Sequence, residues 1–218
     1  MEKGDFIEID FVARVKGSNK IFDLTRADIA KKEGIFDEKR KYKPLVVCLG
    51  AGHLLKGLDM ELTKAEVGKE IEVEVKPEDA FGRRNPKLIQ LTTLKQFKDK
   101  GITPVPGLQL SIDGALATIR SVSGGRVIID FNHPLAGRIL HYQVKVNKKI
   151  TDAKEKVSGI IDLLIGDSDY SVKISEKEVN IEFDKDIQKQ TQEVITKQIT
   201  ELIPELKGKE IKIQTKKP

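Results

Sequence analysis

Residues 49–70 read LGAGHLLKGLDMELTKAEVGKE. They complete the continuous apolar run Leu45–Leu49, a buried strand, and pass through Gly50-Ala51-Gly52 into a helix. In that helix Leu54 or Leu55, Leu58 and Leu62 recur at helical spacing. Gly68 is placed to end it, and Glu70–Lys76 alternates as a further strand before Pro77. A glycine-bearing loop between strand and helix is where a phosphate would be cradled, yet both nucleotide fingerprints fail. The dinucleotide spacing needs Gly or Ala where Leu55 stands, and the phosphate-loop spacing needs Lys-Ser/Thr where the chain has Leu58-Asp59.

Upstream, Asp5–Lys16 (DFIEIDFVARVK) alternates. Phe6, Glu8, Asp10, Val12 and Arg14 point one way and Ile7, Ile9, Phe11, Ala13 and Val15 the other, which is a half-buried strand. Ser18-Asn19 turns the chain into a returning strand from Lys20 to Asp23. Residues 25–43 are charged and loop-like, with a short helix over Asp28–Lys32. Downstream the texture changes. Leu91–Lys100 is a short helix or turn, and the β-type stretches Gln109–Val122 and Val127–Phe131 flank a hairpin turn at Ser123-Gly124-Gly125. Ile139–Val146 is again a strand. Beyond Ile150 come a helix (Ala153–Ile165), a hairpin (Tyr170–Phe183), a long helix (Asp186–Ile203) and a strand (Glu210–Gln214). Thr151-Asp152 supplies the N-cap, and Pro204 with Gly208 the stop.

Composition narrows the function classes. The chain has 218 residues, 39% hydrophobic and 33% charged, as in a globular protein with a heavily charged surface. No run approaches the roughly 18 apolar residues of a membrane helix, and MEKGDFIEID lacks the apolar core of a secretory signal. A cytoplasmic location and no membrane partner are therefore expected. The single cysteine, Cys48, sits in an apolar strand and excludes any CxxC motif. His53, His133 and His141 are too far apart for local chelation, so no metal site is expected. Glu78 and Asp79 are adjacent carboxylates with no evident acid–base partner. Residues 1–150 hold 27 Lys and Arg against 20 Asp and Glu, and residues 151–218 hold 12 against 14. The basic residues are scattered and lack aromatic stacking neighbours, so nucleic acid is not the expected partner.

What remains is an apolar set with one carboxylate, at strand ends and around a helix entrance. Phe22-Asp23, then Leu49–Glu70, then PEDAFG (Pro77–Gly82), resemble in combination the FKBP-type peptidyl-prolyl cis-trans isomerases. NHPLAGRILHYQVKV (Asn132–Val146) resembles the signature of the SlyD-like branch, which carries an extra chaperone domain inserted in the flap. Residues 151–218 resemble the additional C-terminal module of long archaeal FKBPs. The resemblance implies an α+β fold, an FKBP-like antiparallel sheet wrapped on a short helix. A β-rich insert domain in the flap and a C-terminal αββαβ module complete it. The corresponding domains are 1–84 with 138–150, 85–137, and 151–218.

It also implies a chemistry that needs no nucleophile, metal or cofactor. Phe11, Phe22, Leu45, Leu54, Leu55, Leu58, Phe81 and Tyr142 would line a proline pocket. Asp23 would be its lone carboxylate, and the Leu55 N–H would hold a substrate carbonyl. Leu58 stands where small FKBPs have a tryptophan and Phe81 where many have a tyrosine. The missing hydroxyl removes a contact worth about 0.5–1.5 kcal/mol to a bound macrolide. In the insert, Leu88, Ile89, Leu91, Leu94, Phe97, Ile102, Val105 and Leu108 are more apolar residues than so small a module easily buries. Leu94 and Phe97 are therefore expected among those that bind unfolded chains carrying Xaa-Pro bonds. The amphipathic segment VSGIIDLLI, or the last strand, offers a homodimer interface. A non-catalytic holdase, or a ribosome- or RNA-associated factor, are the competing readings.

Overall fold

The computed structural model describes residues 1–166 and 168–216. In chain order the elements are β1 (Phe6–Val15), β2 (Ile21–Leu24), α1 (Ala27–Lys32), β3 (Leu45–Cys48), α2 (Lys56–Leu62), β4 (Glu70–Val75), β5 (Ile89–Thr93), α3 (Leu94–Asp99), β6 (Gln109–Ile112), β7 (Ala115–Ser123), β8 (Arg126–Asp130), β9 (Leu140–Ile150), α4 (Ala153–Ile165), β10 (Tyr170–Ile174), β11 (Glu178–Phe183), α5 (Lys189–Leu202) and β12 (Glu210–Thr215). They form two compact units. One contains Met1–Val75 and the chain from Leu140 onward; the other is Lys76–Ile139. The fold class is α+β.

In the first unit β1 is the hub, because its ten residues give it two full edges. The antiparallel order is β2-β1-β9-β4, and β2 and β3 divide one edge of β1 between them. The alternation of β1 sends Ile7, Ile9, Phe11, Ala13 and Val15, all buried, to one face. α2 packs against β4 with Leu58 and Leu62 inward. It begins at Lys56 rather than at His53, because Leu55 keeps an extended backbone (ψ 138) as N-cap. The loop before it is closed by two side chains. Cys48 N–H donates to His53 Nδ1 (3.0 Å), and Gly50 N–H donates to the Asp59 carboxylate (2.9 and 3.1 Å).

The chain after β9 returns to the reverse face of this sheet. Asp152 caps α4 by accepting from Glu155 N–H at 2.8 Å, and β10-β11-β12 form a sheet of their own. Their core is continuous with one row of the first sheet, since Cys48, Phe6 and Ile150 are cross-strand partners and lie in the cluster of Val157, Ile160, Ile181 and Ile199. The described residues after β9 thus share a compact unit with β1 and β3.

The second unit is a four-stranded antiparallel sheet, β5-β8-β7-β6, with α3 on one face. The stretch 109–122 read as one strand is two. Asp113 (φ 50) and Gly114 (φ 80) take the paired positive φ values that a tight two-residue hairpin requires, a conformation that Asp tolerates and Gly adopts freely. Among the described residues no helix is long and apolar enough to cross a membrane.

Candidate active site

The sheet register assembles the expected site residues of the first unit. Asp23 on β2 lies opposite Ala13 on β1, Ala13 opposite Tyr142 on β9, and Tyr142 opposite Val73 on β4. Directly opposed residues share a face, so one row across four strands carries the carboxylate and the tyrosine on the buried face. β2 also holds a bulge. Arg14 pairs with Ile21 and Ala13 with Asp23, leaving Phe22 as the extra residue. A bulge re-aims side chains, and here it brings Phe22 edge-on to Tyr142 with ring centroids 5.9 Å apart at 85°. Phe11, two residues from Ala13 on the same face, meets the Tyr142 ring from the other direction at 5.9 Å. Leu45 is opposite Ile9 on that face. Thr25 fixes the end of β2: its hydroxyl accepts from Phe11 N–H (2.9 Å) and donates to Asp10 (2.7 Å), and its own N–H donates to Phe11 C=O (3.0 Å).

The polar groups are few and definite. Burial, with the charge of Asp23 second, pushes the Tyr142 phenol far above its ordinary range, so it is a neutral donor at any physiological pH. Among the described residues the Tyr142 hydroxyl and the Leu55 N–H have no hydrogen-bond partner. Asp23 is not a bare carboxylate. Its Oδ1 accepts from Arg40 Nη2 (2.7 Å) and from Leu24 N–H (2.9 Å), while the same guanidinium donates to Leu24 C=O (2.6 Å) and lies over the Tyr42 ring. Leu58 is fully buried and Leu54 and Leu55 half-buried. Such a site holds no nucleophile and no proton relay; it is an aromatic wall with a clamped charge at its edge.

Three expected residues lie in the second unit. Phe81 stacks on His133 at 4.1 Å, nearly parallel. Phe97, 6% exposed, is core, packed with Ala117, Ile119, Val127 and Ile129, and Leu94 packs against the same cluster. The apolar side chains that reach solvent are others: Leu88, Ile89, Leu91, Val105, Leu116, Ile128 and Ile139. Leu91 and Ile128 are cross-strand partners and face away from α3, as does Leu116. On that same face Asp130 is buried beneath Arg84 and Arg120 and accepts from Asn132. Sequence reasoning passed over Leu116 and Ile128, which the strict alternation of β7 and β8 marks as opposite to the core positions Ala117, Val127 and Ile129. It also passed over Arg40, whose partner is 17 residues away.

Residues 1–97 match the family model of the FKBP-type peptidyl-prolyl cis-trans isomerases, and residues 90–135 match a model described as FKBP26, IF domain. The short-type peptidyl-prolyl cis-trans isomerase of Methanocaldococcus jannaschii is 34% identical over 146 residues, 67% of this chain and 92% of that one. The FKBP-type 16 kDa peptidyl-prolyl cis-trans isomerase of Escherichia coli is 32% identical over 131 residues, 58% of this chain and 83% of that one. The FKBP-type isomerase SlyD of Helicobacter pylori is 30% identical over 142 residues, covering 63% and 69%.

Proposed function

Because the chain belongs to the FKBP-type peptidyl-prolyl cis-trans isomerases, we propose that Xaa-Pro bonds are turned against the Tyr142 row, and that the second unit binds unfolded client chain. The observation that carries this is the convergence of Phe11, Phe22 and Tyr142 beside Asp23, with two unpartnered donors, Tyr142 O–H and Leu55 N–H.

The barrier to rotation is about 18–20 kcal/mol because twisting the amide removes its resonance. The twisted amide is less charge-separated than the planar one, so dry aromatic walls favour it over the ground state. Each ~1.4 kcal/mol of that preference is a tenfold gain in rate. In this reading the proline ring packs on Tyr142, Phe11, Phe22, Leu45 and Leu58, with Leu54 and Leu55 at the helix entrance. The Leu55 N–H holds a flanking carbonyl, Tyr142 donates to the substrate, and Asp23, fixed by Arg40, orients the amide. No cofactor or metal enters.

Client binding is supported by the open face of the second unit. Ile89, Leu91, Leu116 and Ile128 are exposed there, and β5 is an unpaired edge able to take an added strand. A cytoplasmic location suits such clients. A homodimer through the edge of β12 is the assembly we propose, read as a mass of two chains by light scattering.

The test is refolding of a protein limited by a trans-to-cis proline step, with the full chain, Tyr142→Ala, and the pair Leu91→Ser with Ile128→Ser. Acceleration by the full chain that Tyr142→Ala abolishes is the expected result. The Ser pair is expected to keep activity on a short Xaa-Pro peptide and to lose it on the protein. An unchanged slow phase together with suppressed aggregation would make the protein a holdase instead.

A further inference from the structure

β3 is only four residues long, yet it serves both faces of its sheet. Leu45, opposite Ile9, turns to the aromatic face, whereas Val46, opposite Glu8, turns to the reverse face and packs into the core formed with residues 151–216. The loops on either side of β3 are the ones that rim the proposed pocket. The loop before it (33–44) carries Arg40, which grips Asp23. The loop after it (49–55) carries Leu54 and Leu55.

The first loop is tied to the C-terminal residues by ion pairs, and the second brings a buried polar group to them. On the first, Lys43 Nζ lies 2.7 Å from Asp162 Oδ2 of α4, and Lys41 Nζ lies 3.3 Å from Asp169 Oδ1. The Asp162 carboxylate is itself held, because the Tyr170 hydroxyl donates to its other oxygen at 2.9 Å. On the second loop, His53 Nδ1 accepts from Cys48 N–H, which leaves the ring proton on Nε2. His53 Nε2 is buried with no hydrogen-bond partner, and so is Gln198 Oε1 of α5. The Gln198 amide favours the protonated ring against the burial that disfavours it, so the two groups are neighbours. The packing agrees: Cys48 and Ala51, from the same loop region, lie in one cluster with Ile195 and Ile199 of α5. A buried donor and a buried acceptor that each lack another partner favour keeping their two elements together, because only the neighbouring group can relieve the cost of their burial.

We infer that residues 151–216 are a positioning element for the isomerase site: Gln198 seats the Leu54–Leu55 rim through His53, and Asp162 seats the Arg40 loop through Lys43. The inference rests on the pocket proposed above. Neither Gln198 nor Lys43 touches substrate in this scheme. Their loss loosens the rim that binds the chain flanking proline and leaves the aromatic wall intact. Interactions that hold ground state and transition state alike appear in KM and not in kcat.

The experiment measures kcat and KM of the full chain on an Xaa-Pro tetrapeptide for wild type, Tyr142→Ala, Gln198→Met, Gln198→Glu and Lys43→Gln, with a thermal melt of each. Gln198→Met is expected to raise KM about three- to tenfold, the factor that one intramolecular hydrogen bond carries, with kcat within twofold. Gln198→Glu, which keeps an acceptor for His53, restores KM. Lys43→Gln raises KM about two- to fivefold. In the wild type, but not in Lys43→Gln, part of that rise is reproduced by salt, which screens a half-exposed pair. Lys43 is exposed, so its substitution leaves the fold standing whatever Gln198→Met does. If Tyr142→Ala lowers activity while both positioning variants keep wild-type KM, the inference is wrong and the pocket stands. If Tyr142→Ala leaves activity unchanged, both fall.

Discussion

At Gly159 α4 lies tightly against Val46 of β3, which sets up a contest between two effects of opposite sign. Replacing glycine by alanine inside a helix ordinarily stabilises by about 1 kcal/mol. Here an added Cβ would stand 2.5 Å from Val46 Cγ1, 2.7 Å from Val46 Cβ and 3.3 Å from Val46 C=O. Carbon atoms in good contact are about 3.5–4.0 Å apart, so helix and strand must separate by about 1 Å. Rotating Val46 can remove the Cγ1 overlap and leaves the one to its Cβ, which moves only with the backbone. Overpacking of this kind costs about 1–3 kcal/mol. Set against the propensity gain, Gly159→Ala should destabilise by up to about 2 kcal/mol, which for a chain of this size lowers Tm by up to roughly 8 °C. Urea or thermal unfolding measures it. The double variant Gly159→Ala with Val46→Ala should be more stable than the sum of the two single losses, because each change makes room for the other. A Gly159→Ala protein more stable than wild type would refute the reasoning: the helix would not be pressed against β3 at this point.

Two further outcomes follow from the site. Tyr142→Phe keeps the ring contacts to Phe11 and Phe22 and removes a hydroxyl without a protein partner, so Tm should stay unchanged while kcat/KM falls about two- to tenfold; no loss of kcat/KM would show that the hydroxyl does not meet substrate. His53 gives a pH dependence. Burial lowers its pKa below the ordinary imidazole value of about 6.5, Asp59 being the charged group that opposes the shift, while the Cys48 thiol, pushed up to about 11, stays neutral. The unfolded chain therefore takes up the proton first. The stability contributed by neutral His53 is complete above about pH 6.5 and is lost as pH falls through that value toward the lower folded pKa. Protonation would also remove Nδ1 as the acceptor for Cys48 N–H. Tm measured from pH 7.5 down to 5.5 should fall more steeply for wild type than for His53→Gln, and parallel curves would exclude the effect.

How far the sequence reaches depends on whether a contact is local. The alternation of Asp5–Lys16 assigned each β1 side chain to its face, because a period of two is a property of the strand alone. Asp152, as a cap, was legible for the same reason. The start of α2 was not, since Leu55 fits the apolar spacing while its backbone is held extended by the loop closure at Cys48 and Gly50. Asp113-Gly114 is a turn signature that lay unrecognised inside an otherwise β-type stretch. The family resemblance could nominate Asp23 and Tyr142 for the site, but not the bulge at Phe22 that gathers them. Arg40 and His53 were beyond reach altogether, because one looked like a solvated charge and the other like an ordinary loop residue until their partners came into view.

The face of β1 opposite the aromatic wall explains why its sequence is not a simple apolar-and-polar alternation. Phe6, Glu8, Asp10, Val12 and Arg14 share that face, and a strand whose outer side met only water would have no use for Phe6 or Val12. Each answers to a different neighbour. Phe6 lies in a row with Cys48 and Ile150 beneath α4. Glu8 and Asp10 accept from the Asn147 side chain, the extra residue where the β1–β9 register shifts. Val12 packs with Leu24 and Ala30 under α1. The reverse face is therefore divided into an apolar seat for the C-terminal residues, a polar belt, and an apolar seat for α1. Both seats lie behind strands that carry residues of the proposed pocket, β3 with Leu45 and β2 with Phe22 and Asp23. Isomerisation by shape and dryness has no chemical group to compensate for a loose wall, since misplacing a reacting group by about 1 Å can cost a hundredfold in rate. An enzyme of this kind has reason to bury the back of its sheet, and the mixed face of β1 is the record of that requirement in the sequence.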